Sequence, residues 1–414
     1  MKKILFSAMC AVMLLASCGD KKDYTAFVDP YIGSGGHGHV FVGASTPFGM
    51  VQLGPHQIVE DWDWCSGYHY SDSLVFGFSH TRLTGTGCGD LGDILFMPFA
   101  PGKEKIDNRY LDSREADCEH LFARLDHNLE SVKPGLYTVE LPDYGVNVRL
   151  TTTDRTGLHE YTFTDEQSAI LIDPCTGACG DRTTDWSLEV VDPTHVKGFR
   201  HSEGWANHIV YFVAEFSQPI IGQEEMHIVH DEYATALKFD TSKEKKVLVK
   251  VGISAVSCEN AAENLAAELS GWDFDRVYAE TKNKWNEELG RIDIEPMDEK
   301  QQRIFYTAMY HTLMAPALFC DIDGKYRGAD GNIYHSDMPR YTNFSLWDTY
   351  RAAMPLYSIF QRHYYEQMIN TMLAIYKEQG KLPVWHLHGC ETNCMVGNPG
   401  IPPVADAIVK GLKG

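Results

Sequence analysis

The sequence predicts a two-part chain, an N-terminal antiparallel β-sandwich followed by a helical domain. Three observations carry that expectation. Between residues 26 and 257, short runs alternate apolar and polar residues and are separated by Gly, Pro, Asp and Asn. Near Cys258 the apolar spacing changes to that of helices and stays there. The length of 414 residues, with 44% apolar and 22% charged, gives room for two or three domains with large cores and excludes wholesale disorder.

The elements follow in chain order. Lys2 and Lys3 precede a short apolar stretch, residues 4–16, too short to cross a bilayer. Leu15-Ala16-Ser17-Cys18 comes next and resembles the lipobox of bacterial lipoproteins. Residues 1–17 are therefore expected to be a lipoprotein signal peptide, and Cys18 the lipid-bearing first residue of the mature chain. A plain signal peptide with an incidental cysteine is the alternative. Residues 18–25 read as a tether, so the expected location is a bacterial membrane surface, periplasmic or on the cell exterior, with the lipid as anchor. In the sandwich, residues 26–257, strands are expected at 146–150, 161–163, 169–172, 208–216 and 246–251. Residues 258–296 read as a helical linker with helices at 260–269 and 274–289. Residues 297–414 hold the other helices: 298–319 with Asp298 as N-cap, 349–360, 364–379 and a start at 404.

Composition narrows the function. Acidic residues outnumber basic ones 57 to 36, a net charge of −21, which repels phosphate backbones and argues against a nucleic-acid partner. Of the 11 cysteines, Cys175/Cys179 and Cys390/Cys394 are spaced CxxxC, within disulfide reach or equally free thiols. Gly33-Ser34-Gly35-Gly36-His37-Gly38 fits GxGxxG. No helix can follow it to receive a pyrophosphate, so it reads as a glycine-rich turn. His386, His388, Cys390 and Glu391 are four possible metal ligands in one segment. Alternation would turn His386 and His388 to one side, which makes a zinc hydrolase using His386, His388 and Glu391 one candidate reading. Two segments mix aromatics with hydrogen-bonding groups: Asp61 to Tyr70, containing Trp64 and Cys65, and Phe344 to Arg351, containing Trp347 and Asp348. Sugar rings, with apolar faces and polar rims, are held by such sets of aromatic, carboxylate and Arg side chains. Plain packing, with Asp348 as a helix N-cap, would use the same residues.

Phe27-Val28-Asp29-Pro30-Tyr31-Ile32-Gly33, Pro47-Phe48-Gly49-Met50-Val51-Gln52, Ser66-Gly67-Tyr68-His69-Tyr70 and Gly77-Phe78-Ser79-His80 follow in order. Then come Gly85-Thr86-Gly87, Ser345-Leu346-Trp347-Asp348-Thr349-Tyr350-Arg351 and Gly389-Cys390-Glu391-Thr392-Asn393-Cys394. This series resembles glycoside hydrolase family 92, the calcium-dependent exo-α-mannosidases. The resemblance implies a β-sandwich joined through helices to an (α/α)6 barrel. It also implies removal of terminal α-mannosyl residues from glycans, α-1,2-type, with inversion. Ca²⁺ would be the cofactor, holding the sugar. By the same resemblance Asp348, with Trp347 and Arg351 beside it, contacts the sugar. Trp64 and Cys65 line the same pocket, and Glu391 stands at its rim. Family members are longer, and their general acid, general base and calcium motif are expected beyond Gly414. The chain then reads as an incomplete barrel, inactive by itself. A non-catalytic glycan-binding surface lipoprotein is the alternative from another class.

Overall fold

The computed structural model describes residues 22–57, 62–103, 121–177, 181–229 and 232–412. Alternation builds its first part. In Asn207–Phe216, His208, Val210, Phe212, Ala214 and Phe216 are buried while the residues between them are partly exposed. Seven strands form one antiparallel sheet in the order Ala44–Ser45, Gln52–His56, Gly77–Ser79, Leu95–Phe99, Gln167–Asp173, Glu232–Asp240, Gly222–Val229. Eight form a second, in the order Arg182–Asp192, His195–Glu203, Asn207–Phe216, Lys246–Ser254, Thr156–Phe163, Val146–Thr152, Leu136–Leu141, Glu130–Lys133. Rings from the two sheets meet across the core, Phe78 with Tyr137 at 6.0 Å and Phe216 with Phe239 at 5.3 Å. All five expected strand segments lie within observed strands. The Gly33–Gly38 segment is a set of turns with positive φ at Gly33 and Gly36.

Helices follow, and side-chain caps start the first three. Ser257, Asp273 and Asp298 accept from the backbone amides of Asn260, Arg276 and Gln301. They open Cys258–Glu268, Phe274–Leu289 and Glu299–Thr312. The first packs onto the strand Lys246–Ser254 so closely that a Cβ at Gly252 would stand 2.3 Å from the Ala261 carbonyl. In the second, Trp285 is fully buried, donates to the Ser45 carbonyl at 2.6 Å and meets the Tyr310 ring at 4.5 Å. One continuous apolar core therefore runs from the sheets into the helices.

Two helical expectations need correction. The helix expected over 298–319 stops at Thr312, because Pro316 has no amide to donate and biases Ala315 away from helical angles. Residues 317–318 pair instead with Tyr341–Thr342 as a short ladder. The helix expected over 349–360 is two pieces, Leu346–Thr349 and Ala353–Phe360. Arg362–Gln379 and Ile401–Val409 complete the helical part. Ile401, Ile408 and Val409 of the last helix are exposed. Among the described residues no helix is long and apolar enough to cross a membrane.

Candidate functional site

A cleft of about 270 Å³ opens where loops of the sandwich meet the helical part. Its helical wall is a small sheet. Phe344–Ser345 pairs with Trp385–Leu387, which pairs with Cys390–Glu391. The chain leaves this sheet at Ser345 and turns at once into Leu346–Thr349. Ser345 is therefore the residue at the helix cap, and Asp348 sits inside the turn. The expectation that Asp348 caps a helix is corrected accordingly. Its exposed carboxylate accepts from the Ser345 hydroxyl, which in turn accepts from the Trp385 indole N–H. Donors in series polarise one another toward the charged end, which holds Asp348 in place at the cleft wall.

Two further groups in this cleft escaped the sequence reading. His311, in the last turn of Glu299–Thr312, lines it. Burial lowers the His311 pKa to about 4, so the ring is neutral at neutral pH, and its Nε2 is buried with no protein partner. Asn343, buried with φ 61°, adds an unbonded Oδ1. On the sandwich side the wall is Val40 and the Arg82–Thr86 loop. The buried Arg82 guanidinium is directed at backbone carbonyls of Gly54, Pro55 and Thr81. A carboxylate, a neutral imidazole and an amide side chain thus line the same cleft as the Trp385 ring. That set can hold several hydroxyls of one small polyol. Among the described residues lining the cleft, Asp348 is the single carboxylate.

The other expected site residues lie elsewhere. Trp347 and Arg351 share Asp348's turn but do not line the cleft. The exposed Arg351 stacks 5.2 Å over the Trp347 ring and donates to the Trp347 carbonyl at 3.0 Å, so it forms no ion pair with Asp348. Trp64 and Cys65 are buried and do not line the cleft. Trp64 stacks on His69 at 4.3 Å and donates to Asp72 at 2.9 Å, while the Cys65 thiol donates to the Trp62 carbonyl. Glu391 stands at a second, larger hollow of about 550 Å³. Its carboxylate accepts the amides of Val384, Trp385 and Asn393 at 2.8, 3.1 and 3.1 Å, locking the hairpin. His386 and His388 are buried, with pKa values lowered to about 4 and about 3, chiefly by burial. His388 falls in the turn at φ 43°, which ends the alternation, and these histidines do not converge with Glu391 on one point. Cys390 and Cys394 are free thiols. Cys179 and Cys18 lie outside the described residues.

Calcium takes about six to eight oxygen ligands, often several of them carboxylates. The described residues of the cleft offer one carboxylate, so they do not fit that ion. Among the described residues, three His, Cys, Asp or Glu ligand atoms converge only at Asp90, Asp181 and His208, where an imidazole takes one place.

Comparison with known proteins places this geometry. Residues 27–254 match the family model for the glycosyl hydrolase family 92 N-terminal domain, and residues 260–414 that for the family 92 catalytic domain. An uncharacterized secreted glycosidase of Arthroderma benhamiae is 25% identical over 431 residues, covering 94% of this chain and 50% of that protein. The family GH92 α-mannosidase BT3965 of Bacteroides thetaiotaomicron, solved in complex with mannoimidazole, is 34% identical with a TM-score of 0.88. That match covers 95% of this chain and 54% of that one. The family GH92 inverting mannosidase BT2199 of the same organism is 26% identical with a TM-score of 0.81, over 96% and 54% of the two chains. The chain spans about half the length of these relatives. With both domain models matched almost from one end of the described residues to the other, the chain belongs to glycosyl hydrolase family 92.

Proposed function

We propose that this chain provides the sugar-binding wall of an exo-acting α-mannosidase, α-1,2-type and inverting, and that terminal mannose of glycans sits in the Asp348 cleft. The observation that carries this reading is that Asp348, His311, Asn343 and Trp385 line one cleft, with unbonded polar atoms on His311 and Asn343. It is supported by the likeness to a GH92 α-mannosidase that holds mannoimidazole. Asp348, held in place by the Ser345 hydroxyl, would accept from two neighbouring sugar hydroxyls. Neutral His311 would donate or accept as its tautomer requires.

Inverting hydrolysis uses two carboxyl groups, roughly 6.5–9.5 Å apart, one protonating the leaving oxygen and one activating water. The cleft presents one, so on this reading the chain by itself binds the sugar and does not cleave it. The same observation keeps a glycan-binding surface lipoprotein as the second reading. Calcium assistance rests on family membership alone, and no step here runs through the ion. The helical part is read as the beginning of an (α/α)6 barrel, and the lipid on Cys18 as the tie to a bacterial membrane. The test is a paired assay. Saturation-transfer NMR should detect methyl α-mannoside but not its C2 epimer, methyl α-glucoside, while an aryl α-mannoside is left intact. Equal signals from both sugars would refute the assignment of the cleft. Turnover of the aryl mannoside would refute the one-carboxylate argument.

A further inference from the structure

Under the Trp385 hairpin the sandwich buries more negative than positive charge. Asp90, Asp93 and Asp181 surround Arg200 and His208, and none of the five side chains has exposed surface. Arg200 Nη1 donates to Asp93 at 2.6 Å. Three carboxylates here face one guanidinium and one imidazole. Unbalanced charge out of contact with water is strongly unfavourable. Asp181 is the least satisfied member. Arg200 Nη2 lies 2.8 Å from its Oδ2, but off the line of a hydrogen bond, and neither carboxylate oxygen accepts one. Close packing keeps it there: a Cβ on Gly177 would stand 2.0 Å from its Oδ1, and one on Gly204 2.7 Å from its Cβ.

We propose that Asp90, Asp181 and His208 bind a divalent cation of the zinc–manganese class. One ligand atom from each lies within 4.8 Å of the others. Atoms bound at about 2.0–2.2 Å to one ion stand up to roughly 4.4 Å apart, so the set closes with a small shift. Two of the ligands are already oriented. Asp90 accepts the amides of Leu91 and Ala206, each at 2.7 Å, which leaves a lone pair on each oxygen. His208 Nε2 contacts Asp93 at 3.1 Å, which holds the ring with Nδ1 3.2 Å from the Ser202 hydroxyl and 3.9 Å from Asp90. A carboxylate behind the imidazole is the arrangement that fixes metal-bound histidines. Two carboxylates and one imidazole suit zinc or manganese, whereas calcium prefers oxygen alone. A divalent ion would also offset the excess of buried carboxylate. It would tie residue 90, the edge strand beginning at Arg182 and the strand Asn207–Phe216 into one support. His388 of the Trp385 hairpin lies against that support, its ring 5.3 Å from His208. The ion's role is therefore to brace the cleft wall, not to react.

The experiment uses the full chain, stripped with EDTA and re-equilibrated with zinc or manganese alone. Mass spectrometry of the dialysed protein should find one equivalent of at least one of them, and melting should shift upward. Millimolar calcium should displace neither. Asp181→Asn should bind the metal at least about tenfold more weakly. Without metal it should melt no lower than the parent, because it lowers the excess of buried carboxylate around Arg200. His208→Gln supplies a second variant with the same expected loss of metal. Retention by the parent of no more zinc or manganese than either variant keeps would overturn the site, as would displacement by calcium.

Discussion

Asp348 shows what one residue's environment decides. Ser345 stands at the helix cap, and the exposed Asp348 carboxylate receives only that side chain's hydroxyl. Asp348→Asn should therefore change unfolding free energy by less than about 0.5 kcal/mol, the usual range for surface substitutions. A urea melt showing a loss near the ~1 kcal/mol of a deleted cap would mean that the residue is structural. The buried histidines give a second residue-scale expectation. His80, His311 and His386 have pKa values lowered to about 4, and His388 to about 3, by burial. Their folded values lie below the ordinary 6.5, so as pH falls the unfolded chain takes up protons first. Their contribution is complete above pH 6.5 and is lost as the pH drops toward 4. Asp181 and Asp321, raised to about 6 by burial, and His127 and His208, raised beside Glu130 and Asp93, act in the opposite sense, while His159 and His363, lowered by burial, add to the first set and leave it the larger. Melting temperature should fall between pH 6.5 and 4.5, and a rise over that interval would contradict these assignments.

At the scale of elements, the hairpin Trp385–Leu387 with Cys390–Glu391 is the piece that matters most, because it carries Trp385 into the cleft. Three amides converge on Glu391 within it. Hydrogen bonds to a charged group contribute roughly 1.5–3 kcal/mol, so Glu391→Ala should lower stability by about 2 kcal/mol in a denaturant melt. A change under about 0.5 kcal/mol would free the carboxylate for the sugar-rim role that the family resemblance implies. Strands were legible in the sequence where alternation ran long, as in Asn207–Phe216, and helices where a capping residue preceded an apolar spacing, as at Asp298. Helix ends were less legible: Pro316 is a local stop signal inside the 298–319 spacing, whereas the Phe344–Ser345 ladder acts through a partner strand that local spacing does not reveal. Asp348 was legible because its motif is continuous. His311 and Asn343 were not, because their unbonded atoms become meaningful only once burial is known. Asp90, Asp181 and His208 are scattered along the chain and meet only through sheet pairing and loop packing.

At the scale of the whole molecule, one continuous core joins the sheets to the helices, so the cleft between them is held from both sides. The expected lipid on Cys18 would bring that cleft to a membrane surface. Fatty-acid labelling in the native host should mark the chain, Cys18→Ala should abolish the mark, and equal labelling of both would refute the anchor. The most direct test of the account is calorimetric titration of mannoimidazole into the full chain and into Asp348→Asn. We expect saturable one-to-one binding by the parent, weakened roughly ten- to a hundredfold by the substitution, with the melting temperature unchanged. Binding of equal strength in both chains, or none in the parent, would contradict the claim that the Asp348 cleft holds mannose.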